Sequence, residues 1–376
     1  MKSNSSVVLS PDQIRFLRTH NQYLHRQAEL ESLVEVVRAV IGVNAQSTPA
    51  MLLSLRARVR GLESQDIRRA IEKRLLVRAW VMRGTMHLVA AEDLRWLLAT
   101  LGPVVIAKNA RRRVELGLSD SILEQGVNLL SHILDGGQPM TRSEIAQKLV
   151  QAGLPIDVKS QALIHLIRYA ALNGLVCFGP ERANGDSTFV LLDEWLDNLK
   201  HTEDAPDVPA LMRRYIAGYG PAGLDDFCAW SGLSKTQTTP TWQSVVASDG
   251  LIRVQDKEKN LVALQSRLKL LDQDAFSPPT VRLLPAFDAY ILGYADRDLA
   301  VPREYRTKIF HGGQTVPTVM VDGIAASTWR YERRTRHIQI DAHTFQPMGS
   351  NLDKLIAQEA EDIGRFMEKR VELSIA

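Results

Sequence analysis

Cysteine, membrane-length apolar runs and cofactor motifs are all scarce in this sequence. Only Cys177 and Cys228 occur among its 376 residues, too few for a disulfide framework or a cysteine-rich zinc site. We expect both to be buried as small hydrophobic side chains. No apolar run approaches the roughly 20 residues of a membrane span, and residues 1–6 lead into no stretch that resembles a signal peptide. The composition therefore predicts a cytoplasmic protein without a metal site.

Motifs for nucleotide or metal chemistry are also missing. The sequence contains no P-loop, HExxH, GxSxG or paired-cysteine zinc pattern. Residues 218–223 match GxGxxG letter for letter, but they follow a helical pattern and include Pro221. The dinucleotide-binding fingerprint needs a strand before it, so we predict a turn here and no cofactor.

Positive charge, by contrast, is concentrated in one part of the chain. The whole sequence has a net charge of +3, whereas residues 51–90 contain nine basic residues and three acids, a net charge of +6. Such a local excess is typical of a surface that binds a polyanion. The nine residues are Arg56, Arg58, Arg60, Arg68, Arg69, Lys73, Arg74, Arg78 and Arg83. Two smaller basic clusters are Lys108 with residues 111–113, and Arg330 with Arg333, Arg334 and Arg336.

Three helices followed by a β-hairpin occur three times along the chain, which predicts three winged helices in tandem. The predicted hairpin strands are residues 74–81 with 85–89, 174–178 with 187–192, and 250–254 with 261–264. In the second copy, Thr141 and Glu144 have the spacing of a helix capping box. The first copy carries two additional helices, predicted at 91–101 and 104–116 and separated by Gly102-Pro103.

Beyond about residue 278 the hydrophobic pattern changes to that of strands. Strands are predicted at 281–284, 289–293, 316–321, 324–329 and 337–341, with Asp322-Gly323 as a hairpin turn. A last helix runs from Leu352 to Met367 behind the cap candidates Ser350 and Asn351. The predicted fold is therefore α+β and mainly helical, and it ends in a small β-barrel or meander with a terminal helix. The predicted domains are 1–117, 118–203, 204–277 and 278–376.

Only the first winged helix has the charge expected of a DNA reader. Residues 156–200 have a net charge of −2, and residues 206–265 have a net charge of zero. In the first copy, Ile67, Ala70, Ile71 and Leu75 are predicted to line the buried face of the third helix. Its basic residues then point outward, as in a helix that enters the major groove. The alternative is that these charges form only a solvated face.

The wing of the same copy adds three polar candidates. Arg83, Thr85 and His87 occupy alternate positions along one wing strand and would share one face. His87 could instead be an ordinary core or surface histidine with its hydrogen bonds satisfied. The predicted DNA contacts of the chain are Arg56, Arg58, Arg68, Arg69, Lys73, Arg83, Thr85, His87, Arg111 and Arg112.

Two side-chain amides stand at a hinge in this first copy. Asn44-Ala45-Gln46 lies between the end of one helix and the start of the next, near Pro49. Asn favours helix ends and turns, so capping is one interpretation. Gln is a poor cap, however, and the hinge belongs to the same copy as the basic helix. A role in chemistry is therefore the other interpretation.

Three blocks of the sequence resemble the AlkZ/YcaQ-type winged-helix DNA glycosylases, a family also described as winged helix DNA-binding domain-containing proteins. The blocks are GVNAQ at 42–46, WVMRGTMHLV at 80–89, and LLPAFD at 283–288 with LGYADR at 292–297. The resemblance implies three winged helices and a β-barrel around a DNA-sized channel. The family's Gln-x-Gln or Gln-x-Asp motif falls on Asn44-Ala45-Gln46. Gln46 matches it, and Asn44 keeps the amide on a side chain one methylene shorter.

The resemblance implies a monomeric, monofunctional DNA glycosylase that needs no metal or cofactor. It would excise N7- or N3-alkylated purines from double-stranded DNA, with Gln46 and Asn44 positioning water and stabilising the sugar cation. Asp288 and Asp296 with Arg297 are expected to form a structural ion pair. The alternative hypothesis is a non-catalytic DNA-binding protein, such as a lesion sensor or a transcriptional regulator. A regulator of palindromic sites should dimerise, and the sequence shows no heptad repeat or long helical arm for that.

Overall fold

The structure, a computed structural model, describes residues 6–196, 207–256, 259–272 and 275–376. The chain forms two compact units. The first comprises Met1–Arg68, Val208–Trp230 and Ser234–Ala376, and the second comprises Arg69–Asp207 and Ser231–Leu233. Residues predicted to form the domains 1–117 and 204–277 contribute to both units, so the division into four domains remains a prediction.

The described residues contain both helices and strands, which confirms the predicted mixed architecture. No helix in these residues is both long and apolar enough to span a bilayer. The helices are α1 (Pro11–Asn21), α2 (Leu33–Ala39), α3 (Thr48–Arg56), α4 (Ser64–Glu72), α5 (Ala91–Lys108), α6 (Ala110–Glu115), α7 (Asp120–Leu134), α8 (Arg142–Gln151), α9 (Ala162–Leu172), α10 (Leu192–Trp195), α11 (Val208–Tyr219), α12 (Leu224–Ser231), α13 (Lys235–Val246), α14 (Ala289–Leu292), α15 (Arg306–Ile309) and α16 (Ser350–Phe366).

The three predicted hairpins are present, each antiparallel and each preceded by a helix: β3 (Leu76–Trp80) with β4 (Met86–Ala90), β6 (Val176–Phe178) with β7 (Thr188–Leu191), and β8 (Leu251–Asp256) with β9 (Lys259–Leu264). The strands are β1 (Ser6–Val8), β2 (Val43–Asn44), β3 (Leu76–Trp80), β4 (Met86–Ala90), β5 (Met140–Thr141), β6 (Val176–Phe178), β7 (Thr188–Leu191), β8 (Leu251–Asp256), β9 (Lys259–Leu264), β10 (Val281–Leu284), β11 (Phe310–His311), β12 (Gln314–Thr315), β13 (Thr318–Val321), β14 (Ile324–Arg333), β15 (His337–Thr344) and β16 (Arg370–Ile375).

The second unit is built around one apolar core shared by two hairpins. Trp80 of β3 lies 4.5 Å from Phe178 of β6 between ring centroids, and Phe178 lies 5.0 Å from Phe189 of β7. The predicted capping box at the start of α8 is confirmed, because Thr141 Oγ1 accepts from the Glu144 amide at 3.3 Å and Glu144 Oε2 accepts from the Thr141 amide at 2.6 Å. Leucines and isoleucines of α7, α8 and α9 complete this core.

The predicted break at Gly102-Pro103 is wrong, since α5 continues through both residues to Lys108. Pro103 is exposed and removes only one backbone hydrogen bond, while buried Leu101 and Val105 hold the helix axis in place. Gly102 is required for packing instead. A Cβ at this position would lie 2.4 Å from the carbonyl oxygen of Leu172 at the end of α9.

The predicted turn at residues 218–220 begins two residues later than expected, because α11 includes Gly218 and Tyr219. A Cβ on Gly218 would lie 2.2 Å from the Ala39 carbonyl oxygen, so glycine permits a close helix contact. The next two carbonyl oxygens accept hydrogen bonds within the first unit. Asn21 Nδ2 donates to that of Gly220 at 2.8 Å, and Arg18 Nε donates to that of Pro221 at 2.9 Å. The GxGxxG segment therefore follows a helix, as predicted, and not a strand.

The C-terminal part of the first unit is an open five-stranded sheet in the order β10-β13-β14-β15-β16, with α16 packed on β10 and β16. Asp322 and Gly323 form the predicted hairpin turn, with φ angles of 50° and 75°. Residues 289–293 were predicted as a strand but form the short helix α14, capped by Asp288. Strand β16 was not predicted. The N-cap of α16 is Gly349 rather than Ser350 or Asn351.

Candidate catalytic and DNA-binding site

The segment Asn44-Ala45-Gln46 connects α2 to α3 in the first unit. Ile41 and Gly42 leave α2 with positive φ angles of 56° and 95°. The chain is then extended through β2 until Ser47, whose hydroxyl accepts from the Ala50 amide at 3.4 Å and caps α3. Capping is thus performed by Ser47, which leaves the two side-chain amides available for another role.

Alternation along this extended segment places the two amides on the same side. Successive side chains of an extended backbone point in opposite directions. Val43 and Ala45 are buried, whereas Asn44 is half-buried and Gln46 is exposed. Gln46 is therefore accessible to solvent, with Asn44 beside it.

Two hydrogen bonds fix the orientation of both amides. The Gln46 backbone N–H donates to Asn44 Oδ1 at 3.0 Å, and Asn44 Nδ2 donates to Gln46 Oε1 at 3.0 Å. Because a backbone N–H can only donate, Asn44 must face it with its oxygen and must offer its NH₂ group to Gln46. The oxygen of Gln46 is therefore held by Asn44, and it keeps a second lone pair for another donor.

Arg56, at the end of α3, was predicted to contact DNA, and this prediction is wrong. Its side chain is fully buried, and Nη1 lies 3.0 Å from Glu359 and 3.1 Å from Asp362. Nη2 donates to the carbonyl oxygen of Leu283 at 3.0 Å. These contacts join α3 to β10 and α16, so Arg56 anchors the helix that follows the amide pair.

Arg58 was predicted to contact DNA as well, and it is equally buried. Its two terminal nitrogens each donate to a different oxygen of Asp288 at 2.8 Å, and Ser54 Oγ donates to the same carboxylate at 2.7 Å. Burial alone would raise the pKa of Asp288, but the Arg58 guanidinium outweighs it and holds that pKa below its usual range. A bidentate buried pair of this kind is a structural element.

The expected pairing of Asp288 and Asp296 with Arg297 is also wrong. Asp288 pairs with Arg58, and Asp296 pairs with Lys259 and lies 4.0 Å from Arg306. The guanidinium of Arg297 instead lies over the ring of Phe310, 4.6 Å from its centroid. The structural role expected for Asp288 therefore holds, with a different partner.

Helix α4 presents the basic face expected from its sequence. Arg68, Arg69 and Lys73 are exposed, while Ile67 and Ala70 are buried. Leu75 was predicted on the buried face but is 44% exposed, because α4 ends at Glu72 and the helical period no longer applies there. Arg78, which contributed to the positive charge count, is buried and paired with Glu181. The accessible positive charge of residues 51–90 is therefore smaller than the sequence indicates.

The segment predicted as the wing, between β3 and β4, is a tight turn, and its three polar candidates do not share a strand face. Arg83 lies in a single 3₁₀ turn, Met82–Gly84, with φ 53°. Thr85 closes that turn with a hydrogen bond from its hydroxyl to the Met82 carbonyl at 3.0 Å. Arg83 and Thr85 are half-buried. Only His87 belongs to β4.

His87 is buried, so the predicted DNA contact is wrong for this residue. Its Nδ1 lies 2.9 Å from the Thr85 carbonyl oxygen, which can only accept, so Nδ1 carries the proton. Burial lowers the pKa of His87 to about 4, which the Thr85 hydrogen bond opposes and Arg83 reinforces. His87 is a neutral, hydrogen-bonded residue of the hairpin.

The second basic cluster, on α6, is exposed. Arg111 and Arg112 lie 3.0 Å and 3.2 Å from the single carboxylate of Glu115, and Arg111 is 93% exposed. Two arginines that share one acid keep a net positive charge at the surface. No group of His, Cys, Asp and Glu suited to hold a metal ion occurs in the part of the chain that the structure describes.

Comparison with known proteins places the sequence in a family. The model of the family described as "DNA glycosylase AlkZ-like" matches residues 37–366, a range that includes the amide pair and the anchoring arginines. The chain belongs to the AlkZ-like DNA glycosylase family. Family membership implies that this AlkZ-like chain binds DNA.

A curated relative of this AlkZ-like chain and a solved structure with a similar fold both come from Streptomyces sahachiroi. The interstrand DNA cross-link repair glycosylase of that organism is 25% identical over 322 residues, which cover 83% of this chain and 85% of the relative. The structure of its DNA glycosylase AlkZ resembles this one with a TM-score of 0.80 at 22% identity, covering 98% of this chain and all of the other. The second comparison shows a shared fold.

The sequence contained a signal for the burial of Arg56 and Arg58 that our prediction did not use. Both stand in the run 51–59, whose other residues are apolar except for Ser54, and a charged side chain there is expected to be buried with a partner. Their partners could not have been found from local patterns, because Asp288 and Glu359 lie 230 and 303 positions away along the chain.

Proposed function

We propose that this AlkZ-like protein is a monofunctional DNA glycosylase that excises purines alkylated at N7 or N3, and that Gln46 and Asn44 form its reaction centre. The observation that carries the proposal is the amide pair itself. Gln46 is exposed, and the orientation of its amide is set by Asn44 and by its own backbone N–H. Preorganised polar groups of this kind are effective in stabilising charge that develops in a reaction.

The chemistry suits a site without a titratable group. An N7- or N3-alkylated purine carries a positive charge and leaves as a neutral base, so little general acid catalysis is needed. The bond from the sugar carbon to the base breaks, its electron pair goes to the base, and a positive sugar remains, as in glycoside hydrolysis. Water adds its oxygen to that carbon and releases a proton to solvent. The second lone pair of Gln46 Oε1 can hold this water, and its partial negative charge faces the sugar cation.

DNA contacts would come from the exposed basic residues of the α4 and α6 regions and from the half-buried Arg83 and Thr85 of the wing turn. The exposed face of α4, the wing turn and the cluster on α6 supply positive charge, as expected where a winged helix meets the phosphate backbone. In this proposal the three sets of helices and hairpins act as winged helices, and the protein works as a monomer on double-stranded DNA. The proposed contacts are Arg68, Arg69, Lys73, Arg83, Thr85, Arg111 and Arg112.

The proposal is tested with the full-length protein and three duplexes of one sequence, containing an N7-methylguanine, an N7-linked interstrand cross-link, or no lesion. We expect alkali-labile abasic sites to form in the methylated duplex and not in the undamaged one. The cross-linked duplex is included because the Streptomyces sahachiroi relative is named for cross-link repair. Salt-sensitive binding to all three duplexes without release of any base would instead support a DNA-binding protein that has no catalytic activity.

A further inference from the structure

A small cavity in the first unit is lined by two arginines and by no acid. Its volume is about 380 Å³, and its walls are formed by Ala295, Arg297, Arg306, Thr307 and Phe310. Arginine guanidinium groups and hydroxyls are typical donors to bound phosphate, and an aromatic ring can hold an arginine by stacking. None of these residues belongs to the proposed reaction centre.

Arg297 has no anionic partner among the described residues. Its Nε is buried and makes no hydrogen bond with the described residues. Its guanidinium lies over the face of Phe310, 4.6 Å from the ring centroid. The adjacent carboxylates are used elsewhere. Asp296 pairs with Lys259, and Asp298 pairs with Arg303 at 2.9 Å and with Arg306.

The electrostatic environment of Arg297 is therefore unfavourable to its charge. Burial lowers the pKa of Arg297, and the neighbouring Arg306 lowers it further, with no acid acting in the opposite direction. A partly buried cation without a counter-ion is costly, and proteins normally pair such a group. The stacking on Phe310 holds the planar guanidinium with its terminal nitrogens free to bind an anion.

We propose that this cavity binds a phosphate group, with Arg297 as the principal ligand and Arg306 and Thr307 as further donors. An arginine fork matches the geometry of two phosphate oxygens, which favours phosphate over a small spherical anion. The phosphate could be a backbone phosphate of bound DNA or free inorganic phosphate, and the two sources are distinguished below. The DNA source rests on the proposed function, whereas binding of inorganic phosphate does not.

The first experiment measures inorganic phosphate binding by thermal unfolding. The midpoint Tm is recorded against phosphate concentration, with sodium chloride replacing phosphate at equal ionic strength. We expect phosphate to raise the Tm of the wild type and of the Arg303→Gln control, which removes one exposed positive charge from the same segment. Arg297→Gln should weaken phosphate binding by about tenfold or more, the usual effect of losing a charge-assisted hydrogen bond.

The second experiment identifies the source of the phosphate by using an undamaged duplex in which each backbone phosphate is replaced in turn by a neutral methylphosphonate. If DNA supplies the phosphate, methylphosphonate at one backbone position should lower the DNA affinity of the wild type and of Arg303→Gln. The same replacement should leave the DNA affinity of Arg297→Gln unchanged. If phosphate raises the Tm but no position behaves in this way, the cavity binds free phosphate. Because no excision is measured, a protein without glycosylase activity would still give a clear result.

The proposal is overturned if Arg297→Gln responds to phosphate and to every methylphosphonate as the wild type does. Arg297→Lys is a control for a folding defect, because it keeps the positive charge but lacks the planar guanidinium that can donate two parallel hydrogen bonds. We expect its phosphate affinity to lie between those of the wild type and Arg297→Gln. Equal affinity for the wild type and both variants would contradict the assignment of Arg297 as a ligand.

Discussion

Asn44 binds both the side chain and the backbone of Gln46, donating Nδ2 to Gln46 Oε1 at 3.0 Å and accepting the Gln46 backbone N–H on Oδ1 at 3.0 Å. Asn44 therefore orients Gln46 and does not itself act as a second reacting group. The shorter side chain at this position suits that role, because an asparagine can hydrogen-bond the backbone N–H two residues later. The amide pair is a unit in which one residue orients and the other faces solvent.

Substitution of Asn44 should affect the reaction rate through Gln46. Asn44→Ala removes both hydrogen bonds, and we expect single-turnover excision to slow by about tenfold, the effect of about 1.4 kcal/mol. Asn44→Asp keeps the acceptor for the Gln46 N–H but loses the donor to Oε1, so the Gln46 amide should rotate to present its NH₂ group to the carboxylate. The Asn44→Asp variant should therefore excise at least as slowly as Asn44→Ala, and its DNA affinity should be unchanged. A rate for Asn44→Asp equal to that of the wild type would show that the orientation of Gln46 is not set by Asn44.

The buried arginines should affect stability and not DNA contact. Removing one partner of a buried ion pair leaves an uncompensated charge and typically costs about 3–5 kcal/mol. We expect Arg58→Ala, which exposes no new surface charge but unpairs Asp288, to lower the free energy of unfolding by this amount in urea denaturation followed by tryptophan fluorescence. Arg68→Ala, an exposed control, should stay within about 0.5 kcal/mol of the wild type. Equal stability of the two variants would contradict the structural role of Arg58.

The exposed face of α4 should affect DNA affinity and its salt dependence. Each phosphate contact contributes about one unit to the slope of log K against log salt. The triple variant Arg68→Gln, Arg69→Gln, Lys73→Gln should therefore reduce that slope by up to about three units. Lys354→Gln, on the exposed side of α16, serves as the control and should leave the slope unchanged. An unchanged slope in the triple variant would mean that the α4 face is only solvated.

Stability should fall with acid because His87 is neutral in the folded protein. Burial lowers its pKa to about 4, from 6.5 for an unburied histidine. The unfolded chain therefore binds a proton below pH 6.5 that the folded chain does not, so stability is complete above pH 6.5, declines towards pH 4 and is then constant. The contribution is at most about 3.4 kcal/mol, from about 2.5 pKa units at 1.36 kcal/mol each.

The matching variant is His87→Asn, whose Nδ2 can replace the Nδ1 donor to the Thr85 carbonyl without titrating. We expect the free energy of unfolding of His87→Asn to depend less on pH between 6.5 and 4 than that of the wild type. His20, whose pKa burial also lowers to about 4, should contribute a remaining part of the decline. Parallel curves for the wild type and the variant would show that His87 does not titrate in this way.

Local patterns predicted the elements that local interactions determine. The three hairpins, the capping box at Thr141 and the turn at Asp322-Gly323 depend on residues a few positions apart, and all are present. Two elements were predicted wrongly. Pro103 stays helical because tertiary packing buries its neighbours, which a local pattern does not show. Residues 289–292 form a helix that Asp288 caps, a local signal that the strand-like apolar pattern concealed.

The candidate site was predictable only in part, for the same reason. The position of Asn44 and Gln46 between two helices followed from the sequence, but their mutual hydrogen bonds did not. A charge count could not separate the exposed Arg68 from Arg56 and Arg58, whose acidic partners lie more than 200 positions away. Exposure depends on the folded packing, and one sequence does not show which distant acid a buried arginine meets.

The most direct test of the account compares Gln46→Ala with the wild type in single-turnover excision of N7-methylguanine from duplex DNA, with DNA affinity measured in parallel. We predict a loss of rate of about 10²-fold or more, as for the removal of one preorganised polar group from a transition state, with DNA affinity unchanged. Gln65→Ala, an exposed glutamine of α4, should excise at the wild-type rate. Excision by Gln46→Ala at the wild-type rate would contradict the assignment of Gln46 to the reaction centre.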